Sequence, residues 1–568
     1  MNFINVRNAT NNNLKNVSLS IPMNKFISFI GKSGSGKSTL AVDVIYKAYI
    51  KETDNVDVFG SAALFKQISS LNNQKGTIYK YLTGKDKIEE AHITISKYNF
   101  ICKSKYLEID DIYNIISMLG LKKIYMDVHI NGLSMSTYNK IRFLKLLLNK
   151  DCDVLIVDEL ATGLCYKEAR VIGELYKLLV MKGYTIIAIE HSLPVINQSD
   201  YIVEIGPDAG TRGGEFLFSG SMSDFVNTDK WKLMVSTLNQ QLSIEKAGKK
   251  KIEVTNVNFN NLKSLDIKIP LNAIVNICGC TGAGKSSILD VIYRAFDKSA
   301  DAWKNKYGID GETIGKNYIR RAYVIDQTPV GKNSMSTIAT YAGIMDSIRK
   351  IYATSSLKQK KNYTVSDFSY NGKYGCSKCK GKGYFGKVID ENELFIECDK
   401  CAGNRYEDEI LHIKDCGMNI GELLKTTCDS LFKTYNEHKS NVPVTKKIAF
   451  INSVGLSYVS LGQPSGTLSG GESQRLKVTK ELAKKLGDRC VFILDNPTKG
   501  LHILDCNNLL SVLRSLVNKN NSVIISDNNP FMIKNADYVI VLDNGRISYS
   551  GIGNKMPVGL KKEFGIEG

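Results

Sequence analysis

The chain has 568 residues, 43% of them hydrophobic and 23% charged, a balance that excludes wholesale disorder and a fibrous chain. At about 150 residues per domain the length points to three or four domains, and no run approaches the ~18 apolar residues of a membrane-spanning helix. The start, Met1-Asn2-Phe3-Ile4-Asn5-Val6-Arg7-Asn8, has no secretory pattern, so a soluble, cytoplasmic protein without a membrane partner is expected. Its formal net charge of +18 favours an acidic partner such as nucleic acid. Thirteen cysteines in such a chain argue against a disulfide framework and leave metal ligands or core thiols.

The chain repeats itself. Ile4-Asn5-Val6 recurs as Ile252-Glu253-Val254, Asn13-Leu14-Lys15 as Asn261-Leu262-Lys263, and Ile21-Pro22 as Ile269-Pro270, each 248 residues apart. In each copy a buried-strand run, Phe26–Ile30 or Ala273–Ile277, leads into a glycine-rich loop and then a helical pattern. A polar, lysine-rich stretch, 243–251, reads as the linker.

Both loops fit GxxxxGK[ST]. In the first, Gly31, Ser33, Gly34 and Gly36 precede Lys37, Ser38 and Thr39; in the second, Gly279, Gly282 and Gly284 precede Lys285, Ser286 and Ser287. Glycines let backbone N–H groups turn in around phosphate oxygens, the lysine reaches the β/γ phosphates, and Ser38 or Ser286 can hold Mg²⁺. Next comes an apolar strand with an acidic end. Val154-Leu155-Ile156-Val157 runs into Asp158, on the metal side, and Glu159, a water-activating base; the second copy has Asp495 and Asn496, and an amide is no base. Thirty-three residues after Asp158 stands His191, a γ-phosphate sensor by position, and thirty-three after Asp495 stands Asn528.

Leu468-Ser469-Gly470-Gly471-Glu472 precedes a helical pattern, where serine and glycine N–H groups form an anion pocket. The matching segment of the first copy is Leu133-Ser134-Met135-Ser136-Thr137, without the glycines or the glutamate. The second copy also carries 89 extra residues between phosphate loop and strand-end aspartate. Within them Cys376, Cys379, Cys398 and Cys401 form CxxC-x18-CxxC, the spacing of a four-thiolate structural Zn²⁺ site. A redox dithiol is a poor reading, because neither pair opens a helix after a buried strand. Cys102, Cys152, Cys278 and Cys490 read as core thiols. Lys373, Lys378, Lys380, Lys382 and Lys387 surround the first cysteine pair, with Tyr384 and Phe385 nearby. These residues suit equally a duplex contact and a solvated surface hairpin.

The combination of phosphate loop, LSGGE signature, Asp-Glu strand end and histidine switch resembles the ABC-type ATPases. That resemblance implies nucleotide held head to tail. Site one would join Lys37, Ser38, Asp158, Glu159 and His191 to Ser469, Gly470, Gly471 and Glu472. Site two would join Lys285, Ser286, Asp495, Asn496 and Asn528 to the segment of Ser134. All the losses fall in site two, so hydrolysis is expected at the first site, while the second binds ATP with little or no turnover.

A zinc-bearing insertion before the signature is similar to the UvrA family, damage-recognition ATPases of bacterial nucleotide excision repair. Ala322–Gly331 resembles the family's second glutamine loop, with Gln327 as metal and water contact, and Gln67 is the candidate in the first copy. Ser460-Leu461-Gly462-Gln463 and Ile205-Gly206-Pro207-Asp208-Ala209-Gly210, with Gly213-Gly214, are also similar. The resemblance implies an α/β fold of tandem P-loop ABC-type ATPase modules. Residues 1–242 would be the first module, with a short insert at about 50–130 and a degenerate signature. Residues 252–568 would be the second, with the zinc-bearing insertion at about 335–460. Only 94 residues separate Thr39 from Leu133, where the family carries a further zinc module, a UvrB-docking domain and a DNA-clamping insertion. Recruitment of UvrB by the usual surface is therefore not expected. The resemblance implies a homodimer on double-stranded DNA, with ATP, Mg²⁺ and Zn²⁺, that senses distorted, damaged or drug-bound duplex. The shortened chain resembles compact UvrA-like paralogues, some of them linked to antibiotic resistance. The alternative is a regulatory or self-resistance ATPase whose zinc module docks a protein. A transporter motor has no use for the zinc hairpin, and a ribosome factor joins its modules by a longer linker.

Overall fold

The computed structural model describes all residues except 1, 53–55, 67–75, 86–92, 209, 243–249, 297–312, 326–329, 331–334, 390–391, 439–441, 469, 484–487 and 567–568. Two compact units emerge, one formed by residues 1–326 with 487–568 and the other by 327–486. They do not follow the copies of the repeat. Both copies contribute their sheets to the first unit, and the second unit is a stretch of chain inserted between two strands of one sheet.

The first unit holds two six-stranded sheets of identical order. One runs Ala62–Lys66, Val154–Asp158, Thr185–Ile189, Phe26–Ile30, Tyr201–Gly206, Glu215–Ser221. The other runs Arg321–Ile325, Cys490–Asp495, Ser522–Ser526, Ile274–Cys278, Tyr538–Asp543, Arg546–Gly551. Only the last strand of each is antiparallel. The central strands are apolar on both faces, as parallel strands covered on both sides must be. Phe26–Ile30 and Thr185–Ile189 are buried at every position, and each large apolar side chain so buried contributes roughly 1.5–3 kcal/mol.

The repeat is also a repeat of structure. The strands Phe3–Ala9 and Lys251–Phe259 pair antiparallel with Val17–Pro22 and Leu262–Pro270. The central strand of each sheet is anchored at its start by a carboxylate. Asp200 Oδ2 accepts from the Phe26 amide at 2.8 Å, and Asp537 Oδ2 from the Ile274 amide at 2.7 Å. Asp537 is buried and also pairs with Arg514, whose second nitrogen reaches the Asn535 carbonyl at 2.9 Å.

In the second unit, short capped helices surround the cysteine pairs. Asn419 and Glu422 cap Ile420–Lys425 reciprocally, and Thr427 caps Cys428–Glu437. Buried Arg405 donates to the Gly381 carbonyl at 3.1 Å and the Gly462 carbonyl at 2.7 Å, tying the first cysteine turn to the loop before the signature helix, Gly470–Ala483. The hairpin Tyr384–Ile389 with Asn392–Glu397 places Phe385 opposite Ile396. Among the described residues no helix is long and apolar enough to cross a membrane.

Removing Asp537 leaves the half-buried Arg514 guanidinium without its carboxylate and frees the start of a central strand. Asp537→Ala is expected to cost about 3 kcal/mol or more, read by urea unfolding against the wild type.

Candidate functional site

Each GxxxxGK[ST] sequence forms the loop between a buried central strand and a helical turn, beginning at Thr39 in the first copy and Lys285 in the second. Gly31 and Gly279 stand at φ +139° and +157°, and a Cβ there would lie 2.1 Å from the Ile205 carbonyl oxygen or 2.4 Å from that of Leu542. No other residue fits so close to the neighbouring strand. The lysines fold back over their loops. Lys37 Nζ donates to the carbonyls of Gly31 and Lys32 at 2.9 and 2.7 Å, and Lys285 Nζ to those of Gly279 and Cys280. Burial pulls Lys285 below the usual lysine range.

Asparagines outside the motif shape both loops. Asn13 Nδ2 donates to the Gly34 carbonyl at 3.1 Å and Asn261 Nδ2 to that of Gly282 at 2.7 Å. Asn12 reaches Thr39 Oγ1 at 3.3 Å, and Asn260 reaches Ser287 Oγ at 3.1 Å. Their signal was the repeat itself, which carries both pairs at the loop's own offset. The Gly-Pro-Asp loop buttresses the first cradle, with Lys32 Nζ 3.0 Å from Asp208 Oδ1. Gly214, at φ +79°, passes so close that a Cβ would lie 1.7 Å from the Asn13 carbonyl oxygen.

The strand ends share a backbone and differ in chemistry. Glu159 and Asn496 both stand in the left-handed region, at φ +54° and +49°, each with its amide bonded to the neighbouring strand. Such strain in non-glycine residues collects at functional sites. Glu159 Oε1 lies 3.6 Å from His191 Nε2, and Thr162 donates to its other oxygen at 3.2 Å. Burial and then the Glu159 charge push the Asp158 carboxyl up, the shift a bound cation reverses. In the second copy burial likewise raises Asp495, which accepts from Ser286 Oγ at 3.4 Å and from its neighbour Asn496 at 3.0 Å. Asn528 replaces the histidine with an amide that accepts from the Gly279 N–H at 3.1 Å and donates to the Gly163 carbonyl at 3.2 Å.

Each loop is met by the opposite copy. Ser33 Oγ donates to the Gly500 carbonyl in the turn after Asn496. Thr281, its counterpart, is held by Glu168, which accepts from the Thr281 amide and hydroxyl at 3.0 Å each. Ser136 of the degenerate signature comes within 3.4 Å of the same hydroxyl. Ser134 itself caps the helix Met135–Asn149 by accepting from the Thr137 amide at 3.1 Å. Burial pushes the Glu168 carboxyl up, but Lys140 and the two Thr281 bonds outweigh it and hold it below the ordinary range.

Two further carboxyls escaped the sequence reading. Glu190, beside His191, is buried and accepts weakly from the Ala161 amide at 3.4 Å; its counterpart Asp527 accepts from Thr498 N and Oγ1 at 3.0 and 2.8 Å. Burial and the Glu159 charge raise Glu190 to about 8. The cysteines also hold a surprise. Cys152, Cys278 and Cys490 are buried thiols and Cys102 is half-buried, but Cys165 and Cys280 form a disulfide.

Cys376, Cys379, Cys398 and Cys401 meet in the second unit, their sulfurs all within 4.8 Å and each residue buried. A tetrahedral site with Zn–S near 2.3 Å has S···S edges of about 3.8 Å, and Cys379 and Cys401 stand 3.7 Å apart. The donor set fits zinc. Around it, Lys378 pairs with Asp399 at 2.7 Å and Lys373 bonds the Tyr374 hydroxyl at 3.1 Å. Lys380 is exposed, Lys382 half-buried, and Lys387 lies on the strand Tyr384–Ile389. Gly470 opens the signature helix, and Glu472 on it accepts from the half-buried Tyr458 hydroxyl. Gln67, Gln327 and Ser469 lie outside the described residues.

Two phosphate loops on parallel sheets, each followed by a strand-end aspartate and a switch position, define an ABC-type ATPase. A family model described as ABC transporter matches residues 14–162. UvrABC system protein A of Helicobacter pylori is 37% identical over 397 residues, 68% of this chain and 41% of that protein. That of Borreliella burgdorferi is 34% identical over 472 residues, 80% and 49%. The chain spans less than half the length of these curated relatives. The crystal structure of UvrA2 from Deinococcus radiodurans matches with a TM-score of 0.81 at 20% identity, covering 97% of each chain, a likeness of fold. The chain is a UvrA-like ABC ATPase, with ATP and Mg²⁺ as its nucleotide ligands and a zinc-type cysteine cluster.

The raised Glu190 carboxyl sets a pH dependence. The native state keeps a proton that the unfolded chain releases above about pH 4.5, so stability is full below that value and falls as pH rises toward about 8. Glu190→Gln should flatten the fall, gaining a few kcal/mol over wild type at pH 8 and little at pH 5, read from melting temperatures across that range.

Proposed function

We propose that the protein is a DNA-binding ATPase that senses distorted, damaged or drug-bound duplex, with nucleotide state setting its grip, acting as a cytoplasmic homodimer. Hydrolysis belongs to the first phosphate loop. Lys37 and the loop amides would hold the phosphates, Ser38 and Asp158 would hold Mg²⁺, Glu159 orients and activates the attacking water, and His191 senses the γ-phosphate. Mg²⁺ supplies charge neutralisation on the phosphates. The second loop, with Lys285, Ser286 and Asp495, holds nucleotide without turnover, since Asn496 accepts no proton and Asn528 stands where the switch would be.

The zinc hairpin carries the DNA part of this reading. A four-thiolate site fixes a lysine-bearing ribbon with Tyr384 and Phe385 at its base, in a chain of net charge +18, and the curated relatives are UvrABC system proteins. One observation favours a second reading, docking of a protein partner: Phe385 and Ile396 sit directly opposite each other on the hairpin, 41% and 50% exposed.

Retardation of plain and intercalator-treated duplex, with and without ATP, separates the two. The DNA reading expects binding that weakens steeply with salt, with a log–log slope near −4 to −5 for about five phosphate contacts. No retardation at low salt favours docking. For the ATPase, Glu159→Gln should lower steady-state turnover about 100-fold or more, while Lys285→Ala keeps most of it. Equal loss from both variants refutes the division of labour.

A further inference from the structure

Cys280 is the second residue of GxxxxGK[ST] in the second phosphate loop, and it is bridged to Cys165 in the other copy, 115 residues away in sequence. Eleven of the thirteen cysteines are thiols, so the one disulfide in the chain sits on a nucleotide loop rather than in a stabilising framework. Its surroundings are built. Cys165 precedes the helix Tyr166–Met181, and from that helix's first turn Glu168 reaches back to bond the Thr281 amide and hydroxyl beside Cys280. Lys140 pairs with Glu168 at 3.1 Å. The helix is thus joined to the loop by one covalent bond and two hydrogen bonds.

Access is one-sided. Cys165 is fully buried, whereas Cys280 is half-buried and lines a cavity of about 260 Å³ together with Lys140, Lys167, Glu168, Val171 and Ile172. Lys167, on the cavity wall beside the Lys140–Glu168 pair, suits an anionic reagent such as a small-molecule disulfide. Glu563 lies on the other side, with Oε1 3.7 Å from Cys280 Sγ. The first copy has no such link. Lys32 takes the place of Cys280 and pairs with Asp208 of its own copy, and His502, not a cysteine, caps the helix Ile503–Val517.

We propose that Cys280 is a site of oxidative modification, and that its bridge to Cys165 latches the second phosphate loop to the first copy so that nucleotide there exchanges more slowly while the pair is oxidised. The chemistry is thiol–disulfide exchange with a small anionic disulfide, RSSR. The Cys280 thiolate attacks one sulfur, forming Cys280–S–S–R and releasing RS⁻. Cys165, its proton lost to solvent, then attacks the Cys280 sulfur, forming the bridge and releasing the second RS⁻. Two electrons pass from the cysteine pair to the reagent, and a dithiol reverses the step. A bridge at a ligand loop, reached from a cavity by its outer sulfur, has the placement of a labile disulfide.

This inference rests on the reading that the second loop holds nucleotide, and the experiment separates the two. The full-length zinc-loaded Lys37→Ala protein, whose remaining nucleotide reports the second loop, is treated with glutathione disulfide or with dithiothreitol. Peptide mapping then counts the Cys165–Cys280 crosslink, and release of a fluorescent ADP analogue is timed. Oxidation should yield the crosslinked peptide and slow release about tenfold or more. Adding Cys165→Ser, or separately Cys165→Ala, should abolish both changes while leaving release as fast as in the reduced protein. Absence of the crosslink after oxidation overturns the proposal, as does a crosslink with unchanged release. A crosslink with no analogue bound even when reduced overturns the latch and the second-site reading together.

Discussion

Ser33 donates its hydroxyl hydrogen to the carbonyl of Gly500, and Thr281 receives the carboxylate of Glu168; neither phosphate loop is finished by its own copy of the repeat. A phosphate loop is a ring of backbone N–H groups turned toward an anion, and its rim needs polar partners of fixed position. Here those partners come from the turn or helix that follows the opposite strand end. The constraint explains why both sheets belong to one compact unit although the chain visits them far apart.

Within that frame the two nucleotide loops keep one geometry and diverge in chemistry. Glu159 and Asn496 occupy the same left-handed backbone, and His191 and Asn528 the same position after the next strand. An amide replaces a carboxylate or an imidazole without losing hydrogen bonds, as the bonds of Asn528 to Gly279 and Gly163 illustrate. It forfeits only the ability to take up a proton. The second loop is joined to the first copy through Glu168, Ser136, Asn528 and the Cys165–Cys280 bridge. The first pairs Glu159 with His191 at 3.6 Å, next to the raised carboxyl of Glu190.

The zinc cluster was readable because its ligands come as two local pairs. Each CxxC sets its sulfurs on one tight turn, so spacing alone foretold that four thiols would meet. The surrounding lysines were less legible. Lys378 and Lys373 suited a duplex contact and a solvated hairpin equally, and Asp399 and the Tyr374 hydroxyl engage them, the first through a residue 21 positions on. Exposed pairs of this kind are weak, and a phosphate can displace them. Asn13 and Asn261 were in plain view as part of the repeat, but nothing local marked them as struts of the loops.

The sequence by itself determined whatever depends on neighbours along the chain. The tandem repeat, the glycine positions of both loops, the apolar strands with acidic ends and the CxxC pairs all encode a local backbone shape or a local donor set. Tertiary structure alone decided which groups meet across the copies: Gly500 at Ser33, Glu168 at Thr281, and Cys165 at Cys280. Those pairings follow from how two sheets pack within one unit, and no spacing rule links residues that approach only once both cores have formed.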